Sequence, residues 1–73
     1  MEKSKKLELL AEIMDVEPED VKEDMDLADV GEWDSLAILS FISMMDEEFG
    51  KEVSGAIVKK LVKVSDALAL MEE

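Results

Sequence analysis

An all-α fold, a small four-helix bundle with a long helix 1–2 connection and a short third helix, follows from three features of the chain. Apolar residues recur at spacings of three and four in two stretches, 4–14 and 35–49, the period of a helix with one buried face. Gly50 stands at the end of the second stretch, where a left-handed cap would close a helix. Strand-like alternation is confined to Val62-Lys63-Val64, too short to pair alone. At 73 residues the chain reads as one domain, residues 1–73. A domain of this size buries only about 60% of its unfolded surface, which leaves little room for an enclosed active site.

The first helix is expected from Ser4, a plausible N-cap, to Met14, with Leu7, Leu10 and Met14 as its stripe and Leu9 and Ile13 widening it. It should stop near Asp15, because Pro18 disfavours helical geometry at Glu17, while Pro18 itself can open a short turn through Val21. Residues 15–34 then form an acidic connection, longer than structureless loops usually are. It is expected to be ordered by tucking Val16, Val21, Met25, Leu27 and Val30 against the bundle. The second helix begins at Asp34 or Ser35 and runs to Phe49, its inward stripe being Ile38, Phe41, Ile42, Met45 and Phe49. Leu36, Ala37, Leu39 and Met44 carry apolar character beyond that stripe, as core contact on two sides or as an exposed docking surface. Ser54-Gly55 opens a short third helix through Leu61, and Ser65 caps a last one containing Ala67, Leu68, Leu70 and Met71.

Composition excludes several function classes. There is no cysteine and no histidine, so the polypeptide encodes no thiolate, no imidazole base and no zinc site of the usual kind. The net charge is −12, and residues 15–34 hold ten acids against Lys22 alone. Nucleic acid and anionic membrane are disfavoured partners, whereas a basic protein surface would be steered toward this segment. No apolar stretch approaches the ~20 residues of a membrane span, and the N-terminal run lacks the apolar core of a signal peptide, so the expectation is a cytoplasmic monomer. A calcium loop beginning at Asp24 fails on spacing: Ala28, Asp29 and Ser35 fall where a ligand, a glycine and a bidentate acid are needed. No resident metal is assigned, although loose divalent binding by crowded carboxylates stays open. Met14, Met25, Met44, Met45 and Met71 either let the bundle part for a ligand chain or simply fill gaps.

Ser35 lies in Gly31-Glu32-Trp33-Asp34-Ser35-Leu36, where the acidic connection meets the most apolar helical stretch. A hydroxyl at a helix N-terminus sits beside unpaired N–H groups and the positive end of the helix dipole, which favour a phosphate ester. No histidine is available to activate it as a nucleophile. Taken alone, such a serine is an ordinary N-cap. In context the chain resembles the acyl carrier protein family, which also includes the peptidyl and D-alanyl carrier proteins. The resemblance rests on Asp34-Ser35-Leu36 after an acidic loop, on Glu47-Glu48-Phe49-Gly50 closing the helix, on Pro18-Glu19-Asp20-Val21 and on Val64-Ser65-Asp66-Ala67-Leu68. It extends over essentially the whole chain.

The resemblance implies a non-catalytic carrier with an acyl carrier protein-like bundle. Ser35 would bear 4′-phosphopantetheine transferred from coenzyme A by a separate phosphopantetheinyl transferase, with Asp34 and Leu36 flanking the attachment. Acyl or aminoacyl groups would ride on the arm as thioesters between enzymes of fatty acid, polyketide or related biosynthesis. Partners with basic docking surfaces would read Glu32, Trp33, Ala37, Leu39, Ser40, Ser43, Asp46 and Glu47. The rival reading is an acidic adaptor of the same fold without the prosthetic group. Carriers of fatty acid synthesis commonly have acids two and five residues after the serine, where this chain has Ala37 and Ser40, and Ser43 lies eight residues on. Trp33 also departs from the usual motif and is more reminiscent of carriers in specialised pathways; it pins the loop or touches the arm or a partner.

Overall fold

A computed structural model describes residues 2–71, and the described chain is helical, with no strands. The element order is α1 (Lys3–Met14), a 3₁₀ turn (Pro18–Asp20), α2 (Leu27–Val30), α3 (Ser35–Phe49), α4 (Gly55–Lys59) and α5 (Val64–Leu70). The four expected helices are α1, α3, α4 and α5, and α2 is an additional single turn inside the long connection. No described helix is long and apolar enough to cross a membrane.

Each boundary has a local cause. α1 starts one residue before Ser4: Glu2 is the N-cap, and its carbonyl accepts from Lys5 and Lys6. Ser4 therefore lies in the first turn and caps nothing, a correction to the expected cap. The helix ends where Asp15 turns left-handed (φ 56°) and its N–H returns to the carbonyls of Ala11 and Glu12. α3 ends in the same way at Gly50 (φ 63°), where a side chain would be strained. α4 opens at Ser54-Gly55 as expected, with Ser54 as its cap, the hydroxyl accepting from Ile57 N–H at 3.2 Å. α5, by contrast, starts at Val64, before the expected cap Ser65. Asp66 reaches back to accept from the N–H of Lys63 at 3.0 Å and takes over the capping.

The core joins Leu9, Leu10 and Met14 of α1 to Phe41, Met44 and Met45 of α3, with Val58 of α4 and Val64, Ala67 and Met71 beyond. Phe41 is the largest side chain fully enclosed there. Ile42 and Phe49, also expected on the inward stripe, pack against the core from its margin.

The acidic connection is ordered as expected. Val21, Leu27 and Val30 are buried, and Val16 and Met25 pack beside them. Its backbone is also tied to the segment before α5. Leu27 N–H donates to Val62 carbonyl at 2.7 Å, and Val64 N–H donates to Met25 carbonyl at 3.0 Å, forming an isolated antiparallel bridge at Asp26 and Lys63. The Val62-Lys63-Val64 alternation thus does pair, with a loop rather than with a strand. Gly31 lets the connection pass close to the end of α1: a Cβ there would lie 3.2 Å from Met14 Cβ and 3.3 Å from its carbonyl oxygen. That approach sets where the chain re-enters the bundle, four residues before Ser35.

Candidate functional site

α3 begins with a division of labour between adjacent residues. Asp34 is the N-cap, and its Oδ1 accepts from Ala37 N–H at 3.0 Å. A cap of this kind is worth about 0.5–2 kcal/mol. The main-chain carbonyl of Asp34 accepts from Ile38 N–H at 3.0 Å, closing the first turn. Ser35 is then the first helical residue, exposed, and its hydroxyl makes no hydrogen bond among the described residues. The N–H groups of Ser35 and Leu36 lie in the first turn, where the helix offers them no carbonyl. Hydroxyl, free N–H groups and positive dipole end converge on one exposed spot, which suits a phosphodiester.

Trp33 holds the approach to that spot. The residue is half-buried and meets Phe41 edge to face, with ring centroids 5.8 Å apart and planes at 75°. Its indole N–H is buried without an acceptor among the described residues. This packing ties the loop leading into Ser35 to the core.

The remaining candidates separate by exposure. Leu36 and Leu39 are 71% and 62% exposed, unusual for leucines, and lie one turn apart on the same face. Ser43, Asp46 and Glu47 continue along the helix exposed, with Ser40 half-buried. Glu32 and Asp34 stand exposed before the helix. Ala37, expected among the residues a partner reads, is 4% exposed and lies on the buried side of the first turn. From Ser35 to Met45 the helix carries no charge, so acids frame this surface at its two ends only. Among the described residues no group of acidic side chains is placed to hold a metal ion.

Reasoning from sequence did not identify α1 as part of the surface. Leu9, Glu12 and Ile13 of α1 face Leu39, Ser43 and Met44 of α3 across an open groove of about 380 Å³. The signal that was available is the width of the α1 stripe, where Leu9 and Ile13 exceed what a narrow core contact needs.

The structure thus offers a small helical bundle with an exposed, unbonded serine at the head of its longest helix. The family model for a phosphopantetheine attachment site matches residues 7–70. The chain is 35% identical over 65 residues to a protein described as acyl carrier protein from Zymomonas mobilis subsp. mobilis (strain ATCC 31821 / ZM4 / CP4), covering 89% of this chain and 83% of that one. No solved structure matches. The chain belongs to the acyl carrier protein family of phosphopantetheine-binding proteins. It is accordingly a carrier protein whose cofactor is covalently attached 4′-phosphopantetheine.

Proposed function

We propose that Ser35 is the attachment residue and that the chain, without catalysing a reaction itself, shuttles acyl or aminoacyl groups between enzymes of fatty acid, polyketide or related biosynthesis. One observation carries this reading: Asp34 performs the capping that an ordinary serine at this junction would perform, which leaves the Ser35 hydroxyl exposed and uncommitted. When bound, 4′-phosphopantetheine supplies the terminal thiol on which such groups are held as thioesters. The chain's residues bind and present it. First-turn N–H groups of Ser35 and Leu36 would be the donors available to its phosphate, and Asp34 caps the turn that carries them. Leu36 offers a partner an apolar contact beside the attachment point. The acids of residues 15–34 steer basic partners, here a phosphopantetheinyl transferase and the loading and transferring enzymes. A free thiol also fits a cytoplasmic, reducing compartment.

The absence of cysteine makes the reading simple to test. Incubation with coenzyme A and a promiscuous phosphopantetheinyl transferase, followed by removal of small molecules, is expected to create one reactive thiol per chain in a colorimetric titration. A chain that stays thiol-free with several such transferases would be an adaptor and no carrier.

A further inference from the structure

We propose that the open groove between α1 and α3 receives an amphipathic basic helix of a partner protein, so that α1 shares partner recognition with α3. This names a partner surface for the carrier reading and rests on that reading for its biological setting. The floor of the groove is apolar, from Leu9 and Ile13 of α1 and from Leu39 and Met44 of α3. Its rim carries Glu12 on one side and Glu47 and Glu48 on the other, all exposed. No cation pairs with these three carboxylates among the described residues; the ion pairs of α1 are Lys3 with Glu23 and Lys5 with Glu8.

That arrangement selects its occupant. A purely apolar segment would bury the floor but strip water from carboxylates left unpaired. A second copy of this chain brings a further −12 and repels, and an anionic lipid surface repels likewise. A helix with apolar residues at three- and four-residue spacing and lysine or arginine on both flanks satisfies floor and rim together. Between Leu39 and Glu47 the groove runs about 12 Å along α3, roughly two turns of such a partner. Leu39, exposed and central, would be its main apolar contact.

The test uses the 73-residue chain and a synthetic helical peptide with leucines on one face and lysines on both flanks, against a scrambled peptide of identical composition. Backbone amide shifts are expected to move saturably on both walls, at Leu9, Glu12 and Ile13 and from Leu39 to Glu48. Glu12→Lys should weaken binding roughly fivefold and Leu39→Ser roughly tenfold. Both positions are exposed, so the fold should survive either change. Equal binding of the scrambled peptide, no binding of either peptide, shifts confined to α3 or to residues 15–34, or indifference to Glu12→Lys would each overturn the proposal. Ser35→Ala should leave peptide binding unchanged, so a failure here stays separable from a failure of the attachment at Ser35.

Discussion

Phe41→Ala is expected to cost the fold about 3–5 kcal/mol, the range for emptying a buried aromatic position. Phe41 is 0% exposed, lies at the centre of α3, and is the ring on which Trp33 rests. Its removal leaves a cavity between α1 and α3 and also releases the loop leading into Ser35. Small domains sit near the low end of the usual ~5–15 kcal/mol of stability, so the variant should keep only about 0–2 kcal/mol and be partly unfolded at room temperature. Urea unfolding followed by helical circular dichroism measures this. A midpoint close to that of the parent chain would contradict the placement of Phe41 as the core's keystone. Ile42→Ala, at the margin of the same helix, is the natural comparison and should cost distinctly less.

The second large effect is chemical. Ser35→Ala should abolish attachment altogether, because the methyl group has no oxygen to form the phosphodiester. The fold should be unaffected: Ser35 is exposed, its hydroxyl holds no partner, and alanine is a good helix former in the first turn. The thermal midpoint of the variant should match the parent while its loading falls to background. Loading that persists in Ser35→Ala would move the attachment elsewhere. Collapse of the variant would mean that the hydroxyl has a structural role after all.

The parts of this molecule that could be read from sequence are those governed by local chemistry. Three- and four-residue spacing marked α1 and α3, Gly50 marked a left-handed end, and Ser54-Gly55 marked a helix start, because each follows from residues within a turn of one another. Ser4 and Ser65 misled for the same local reason. Each is a good cap, yet the N-cap fell two residues earlier, at Glu2 and at Lys63, and a backbone carbonyl or the Asp66 carboxylate satisfied the free N–H groups instead. The single turn α2 was not legible because it is held from outside: Leu27 N–H is bonded to Val62, 35 positions along the chain.

The site divides along the same line. Ser35 and Asp34 were legible as a pair at a junction, although the structure was needed to assign the cap to the aspartate and free the serine. Ala37 was left between core contact and docking surface, because the apolar excess of α3 does not say which residues face inward, and the structure buries it. The groove beside Leu39 required two helices to be set side by side, a relation that no spacing within either helix encodes.

Fragment-ion mass spectrometry of the protein recovered from its native cell decides where the group is carried. The expected spectrum places one phosphopantetheine on Ser35, with Ser4, Ser40, Ser43, Ser54 and Ser65 unmodified. An unmodified Ser35 throughout the population, or the group on any of the other five serines, would contradict the account.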